Sequence, residues 1–187
     1  DFYGFSANWY GEMMSMAEIN QNPPLTSYYI ALVTLLFGWH EWAVHVAFLV
    51  PATGVVLGVF FLARHFTSRP HIAACVALSP PVFIFSASCV MSDVLMLSIY
   101  LWAVIFWIKG LDNNRSFFLV VACILVSLAA LVKYFSLTAI PLLLVYTIVK
   151  SKELNRKPTV VLLLLPPILI MVCYDLLTGV MYDRQLL

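Results

Sequence analysis

Charge is what this sequence has least of. Only 10% of its 187 residues are charged and 63% are hydrophobic, with a mean hydropathy of +0.98. A soluble domain carries about 25% charged residues, and a core of this length could not hide so much apolar side chain. Lys and Arg are missing altogether from residues 1–24. The net charge of +1 excludes an electrostatic partner signal, and with no basic patch and no suitable motif there is no case for nucleic acid. Cysteine is scarce: Cys75, Cys89, Cys123 and Cys173 lie in or beside apolar runs, at spacings that fit neither a zinc site nor a disulfide scaffold. They read as small buried hydrophobes. The chain starts at Asp1 with no basic stretch ahead of an apolar one, so it shows no signal peptide, and it reads as an internal stretch of a longer membrane protein.

What is present is one apolar run after another. The stretch from Asn20 to Tyr29, with Pro23 and Pro24 at its centre, divides a polar, aromatic beginning from these runs. The double proline is a stiff extended hinge, after which Leu25 can start a helix. Leu25 to Phe37 is apolar but ends at Gly38, well short of the about 20 residues that a span needs. It reads as a helix lying at the interface or re-entering slightly, with Tyr28, Tyr29, Trp39 and Trp42 at headgroup level. Six longer runs follow: Val44 to Ala63, Ile72 to Met91, Val94 to Ile108, Ser116 to Val132, Phe135 to Val149, and Thr159 to about Leu177. Gly54 and Gly58 are spaced for close helix contact. Pro80–Pro81, Pro141 and Pro166–Pro167 are expected to kink or break their helices. The fold expected is therefore an all-α polytopic membrane protein of about six transmembrane helices plus one short interfacial helix. Its parts are an outer segment 1–24, a juxtamembrane helix 25–42 and a multi-span domain 43–187. Phe2, Tyr3, Phe5, Trp9 and Tyr10 make the outer segment either interfacial or an ordinary aromatic loop.

Alternation sorts the charges. Arg64, Arg69, Lys109, Arg115, Lys150, Lys152, Arg156 and Lys157, eight of the ten basic residues, fall on one side, which is cytoplasmic by the positive-inside rule. Asp1, Glu12, Glu18, Glu41, Asp93, Asp175 and Asp183 fall on the other.

Asp93 is the most informative residue. It stands at the non-cytoplasmic mouth, on the first turn of a helix, where the dipole favours an acid. Either it or Ser92 caps that helix, or its carboxylate binds a divalent cation or a substrate hydroxyl, or it has a packing or salt-bridge role. Lys133, on the same side, either holds a phosphate as a point charge or snorkels to the surface. Arg184 is a second cationic candidate. His40, Glu41 and His45 form an interfacial polar cluster with too few ligands for a metal.

The order of motifs resembles a known family. The stretches are QNPPLTSYYIALVTLLFGWHEWAVHVAFLVPATGVVLGVFFLARHF and LSPPVFIFSASCVMSDVLMLSIYLWAVIFW. A PPL segment leads to a short surface helix, a span ends in an Ala-Arg basic turn, a Ser-Pro span follows, and then comes an outer Asp. Over residues 20 to about 108 the chain resembles the integral-membrane glycosyltransferases of the GT-C class, within them the protein mannosyltransferase and aminoarabinose transferase group with its lipopolysaccharide sugar transferases. The resemblance implies a polyprenyl-phosphate-linked sugar donor used on the periplasmic or lumenal face, most simply of a bacterial inner membrane. An acceptor hydroxyl of a lipid, glycan or protein attacks with inversion. Some members use a divalent cation, Mg or Mn, for which Asp93 is the candidate ligand here. The acidic base pair of the family lies after its first helix, which places it upstream of Asp1. Asn22 stands where some members have Lys or His before the prolines, so either another cation makes the phosphate contact, with Lys133 the candidate, or the donor chemistry differs. The resemblance thus gives Asp93 as catalytic and Asn22, Pro23, Pro24, Tyr28 and Lys133 as substrate-binding. The alternatives are a transporter or flippase of lipid-linked substrates, or a scaffold protein; the lack of charge at depth in the spans argues against transport.

Overall fold

A computed structural model describes residues 3–20, 22–153 and 158–182. The chain opens on a hairpin, β1 (Ser6–Trp9) paired antiparallel with β2 (Glu12–Ser15), Trp9 facing Glu12. Tyr10 and Gly11 both take positive φ, 55° and 90°, the two-residue turn that matches the twist of paired strands. A single turn, α1 (Met16–Ile19), leads to the double proline. The outer segment is thus a small hairpin rather than a plain loop.

α2 (Leu25–Phe37) starts directly after Pro24 and stops at Gly38, whose φ of 78° few other residues adopt. Its 13 residues reach about 20 Å, too short for a hydrocarbon core of about 30 Å. α3 (Glu41–Phe66) is 26 residues long and holds the buried Pro51 in its interior. Proline at 51 removes the N–H that would bond the carbonyl of Ala47. The Tyr29 hydroxyl of α2 donates to that carbonyl instead, at 2.7 Å. A break in one helix has become the latch for another.

α4 (Pro70–Leu78) and α5 (Pro81–Ser88) are one apolar run bent by 71° at Ser79–Pro80. α6 (Ser92–Asp112) is the central helix: 61% of its apolar stretch is buried, against 17–28% for the other three long helices. It packs antiparallel on α7 (Ser116–Val132), joined by a tight turn through Asn114 at φ 53°. The main core gathers Ala103, Trp107 and Leu111 of α6 with Leu119, Ala122 and Val126 of α7, closed by Leu143 and Leu164. Trp107 is fully buried; its indole N–H donates to Thr147, whose hydroxyl donates in turn to the Leu143 carbonyl. Gly54 and Gly58 let α3 approach α6: a Cβ on Gly54 would overlap the Ser98 hydroxyl, and one on Gly58 would stand 3.1 Å from Leu101.

A 3-10 turn (Tyr134–Thr138) leads into α8 (Ala139–Glu153), and another (Pro158–Leu164) into α9 (Leu165–Tyr182). Pro141, Pro166 and Pro167 therefore fall in first turns, where the missing N–H has no helical partner to lose. Of the three proline sites expected to kink, the one at Pro80–Pro81 makes the sharp bend, and the other two mark where a 3-10 turn becomes an α-helix.

The all-α polytopic architecture is as expected. Among the described residues four helical stretches are long and apolar enough to cross a membrane, Glu41–Phe66, Ser92–Asp112, Tyr134–Lys152 and Thr159–Tyr182, and the bent pair, taken as one span, makes a fifth. The remaining run, α7, has 17 residues, somewhat under the length of a span. Contacts fix which ends meet. The His45 ring N–H donates to the Ser88 carbonyl, Lys133 meets Asp93, and Asp112 meets both His65 and Lys150. One end of the bundle therefore carries the starts of α3 and α6 and the end of α7, and the other carries the ends of α3, α6 and α8. Arg64, Lys109 and Lys150 share the second, basic end, as sequence alternation has it. Asp1, Arg156, Lys157, Asp183 and Arg184 lie outside the described residues. The cysteines depart from expectation: Cys123 is buried and Cys89 half-buried, but Cys75 and Cys173 face outward, as small apolar side chains can where the surroundings are lipid.

Candidate functional site

The acidic end is built on the α6–α7 hairpin. Asp93 sits on the first turn of α6, and Lys133 directly follows α7. Because the two helices pack antiparallel, residues at similar distances from the turn at Asn114 come together. The Lys133 ammonium donates to Asp93 Oδ1 at 2.7 Å, with side chains 29% and 51% exposed. The pair is thus open to the mouth of the bundle, not sealed in it. Neither Asp93 nor Ser92 caps its helix: the cap position is Met91 and has no side-chain hydrogen bond. Lys133 is likewise held, rather than extended freely to the surface.

The proline segment lies against the same hairpin. Leu25 and Tyr29 pack on Leu95, Met96 and Val132, the neighbours of the ion pair along α6 and α7. Between α2, α6 and α7 runs an apolar groove of about 330 Å³, lined by Leu25, Tyr28, Tyr29 and Leu32 on one side and Leu95, Ile99 and Leu128 on the other. None of these three helices contains proline, so helix kinks do not form this groove. Pro23 is buried, Asn22 half-buried and Tyr28 exposed at the rim.

Asn22 is fastened from behind. The Tyr3 hydroxyl donates to the Asn22 carbonyl at 2.6 Å and receives the Tyr174 hydroxyl of α9 at 2.8 Å. Burial pushes the Tyr3 phenol far above its usual range, so it stays a neutral donor. Tyr3 also packs edge-on against Tyr182. Residue 3, α9 and the proline segment are one clamp, and sequence reading missed it. Tyr3 was legible only as one of several aromatics, and nothing local linked it to Tyr174.

Among the described residues, three buried polar atoms at this end have no hydrogen-bond partner: Asn22 Oδ1, Thr26 Oγ1 and Ser136 Oγ. Such groups are ordinarily paired in a folded protein. Two flank the double proline, and the third follows Lys133 by one turn. The end is therefore polar at its base and apolar along its groove, which suits a ligand with a polar head and a long hydrocarbon tail.

His40, Glu41 and His45 stand apart, beside a separate cavity of about 530 Å³. The His45 Nε2–Glu41 Oε1 distance is 3.8 Å, and Nδ1 is taken by Ser88. Among the described residues no group of three His, Cys, Asp or Glu side chains gathers to hold a metal. Asp93 has a lysine ammonium against it rather than a second carboxylate, so these residues alone do not make a cation site.

Comparison with known proteins completes the picture. A family model described as dolichyl-phosphate-mannose-protein mannosyltransferase matches residues 21–175. No curated protein and no solved structure matches the chain.

Proposed function

Because the chain belongs to the dolichyl-phosphate-mannose-protein mannosyltransferase family, a family of membrane glycosyltransferases that draw on lipid-linked sugars, we propose that its acidic end receives a polyprenyl-phosphate-linked sugar. The observation that carries this reading is the Asp93–Lys133 pair at 2.7 Å beside the proline segment, above an apolar groove. The prenyl tail lies in the groove between α2 and the α6–α7 hairpin. The phosphate meets Lys133, a compact point charge with N–H donors to spare beyond the one given to Asp93. Asn22 and Thr26 supply neutral hydrogen-bonding groups on the opposite wall.

The chemistry needs little more from this chain. A polyprenyl phosphate is already a stable leaving group, so holding its developing charge matters more than protonating it, and a fixed ammonium at a partly dry mouth does so. Asp93 fixes that ammonium and presents its second oxygen towards the site of the acceptor. The acceptor hydroxyl, of a lipid, glycan or protein, attacks the anomeric carbon with inversion. Its proton passes to a carboxylate within about 3 Å, for which Asp93 is the candidate in this chain.

Orientation follows from charge. Arg64, Arg69, Lys109, Arg115, Lys150 and Lys152 at the basic end make it cytoplasmic, and the acidic end periplasmic, in a bacterial inner membrane. Residues 1–24 then cap the site from outside, 25–42 lie in the interface, and 43–187 form the spanning domain. Lipopolysaccharide and protein glycosylation are the two settings that suit such a donor.

Donor dependence tests the reading. Membranes carrying the protein are supplied with polyprenyl-phosphate sugars or with nucleotide sugars, and transfer to endogenous acceptors is followed. Transfer from the lipid-linked donor alone supports the proposal; transfer from nucleotide sugar alone, or from neither, contradicts it.

A further inference from the structure

The opposite end of the bundle carries a second site. A cavity of about 320 Å³ opens between the last turns of α3 and α6, with Phe61, Ile105 and Ile108 forming apolar walls and Arg64, His65 and Lys109 its polar rim. Asp112 is the acid nearest this rim, and it is engaged by His65 at 3.7 Å and by Lys150 at 3.7 Å. Among the described residues no carboxylate lies within 4 Å of Arg64 or Lys109. Lys109 instead stands over the Phe61 ring, 5.9 Å from its centroid, a placement that keeps the ammonium beside the cavity.

Two cations without an acid, set at the end of membrane-crossing helices above an apolar cleft, have the chemistry of an anionic headgroup site. We propose that this cavity binds an anionic glycerophospholipid, its phosphodiester between Arg64 and Lys109 and its acyl chains along Phe61, Ile105 and Ile108. Arg64 offers a planar fork matched to phosphate oxygens, and Lys109 a point charge. The apolar walls favour a lipid over a soluble phosphate, because burying acyl chain against them removes hydrocarbon from water. The site lies at the far end of the bundle from Asp93 and does not depend on the donor assigned there.

The experiment uses the whole protein in nanodiscs of phosphatidylcholine and phosphatidylglycerol in equal parts, with retained lipid identified by native mass spectrometry. Phosphatidylglycerol should be enriched on the order of tenfold over phosphatidylcholine. Arg64→Gln with Lys109→Gln should bring the ratio to about one, whereas Arg69→Gln with Arg115→Gln, which removes equal charge from the same end but outside the cavity, should keep the enrichment. Should the glutamine pair fail to fold, Arg64→Lys with Lys109→Arg provides the reading: charge is kept, and enrichment should persist. The proposal is overturned if phosphatidylglycerol shows no enrichment, if the charge-keeping pair loses it, or if the outside pair abolishes it as fully as the cavity pair. Displacement of the retained lipid by soluble glycerol phosphate would also overturn it, since the site would then be one for free phosphate.

Discussion

The two ends of this bundle use charge in opposite ways. At the acidic end the single described lysine, Lys133, is locked to Asp93, and around the pair stand aromatic side chains, a double proline and unpaired polar atoms. At the basic end cations outnumber acids, the turns are short, and Asp112 alone engages two of the basic side chains. A surplus of exposed cations orients a membrane protein and attracts anionic lipid; it requires no exact partner. A lysine fixed at 2.7 Å beside a groove and a clamped segment is geometry that chemistry can use. Charge number thus distinguishes the basic end, while charge placement distinguishes the candidate site.

That contrast can be broken in graded steps. The largest effect is expected from Lys133→Ala, which removes the acidic end's ammonium and leaves Asp93 unpaired. Transfer should fall about a hundredfold, with protein level unchanged on immunoblots of membranes. Lys133→Arg tests whether position or charge matters, since a planar fork cannot replace a point charge without moving Asp93. A second step strikes the contact between α3 and α6 that holds the two ends in register. Gly54→Val drives a side chain into Ser98 and should destabilise the protein by about 1–3 kcal/mol, measured as a lowered unfolding midpoint in detergent.

A third step addresses the latch. Tyr29→Phe leaves the Ala47 carbonyl without a donor and should cost about 1–3 kcal/mol. Pro51→Ala restores the helical N–H to that carbonyl, so the cost of Tyr29→Phe should shrink when both changes are made. An additive double mutant would refute the latch. The smallest effect is expected from Tyr3→Phe, which frees the Asn22 carbonyl and the Tyr174 hydroxyl at a partly exposed site. It should cost about 1 kcal/mol and raise the KM for donor more than it lowers kcat, because Asn22 would be held less firmly.

Much of this was legible before any coordinates. Leu25–Phe37 could be bounded to the residue because Pro24 opens it and Gly38 closes it. The bend at Ser79–Pro80 follows from consecutive prolines inside an apolar run. Asp93 and Lys133 each stood out by their charge, but their pairing did not: it arises only once α6 and α7 are known to be antiparallel neighbours. A signal was there, since the two residues lie at nearly equal distances in sequence on either side of Asn114. The Tyr3–Asn22–Tyr174 clamp joins the first described residue to the last helix, and no local pattern encodes a contact of that range. Pro141 and Pro166 misled in the other direction, because a proline's effect depends on whether it falls inside a helix or on its first turn, and helix starts are not fixed by apolar runs alone.

We thus assign chemistry to the acidic end and lipid recognition to the basic one. Sugar transfer from a polyprenyl-phosphate donor, measured side by side on Asp93→Asn and on Arg64→Gln with Lys109→Gln, tests this assignment most directly. Transfer should fall about a hundredfold or more in the first and change within about twofold in the second, because the phosphate recognised there belongs to a structural lipid. Transfer that survives Asp93→Asn, or that collapses only when the basic end is altered, would contradict it.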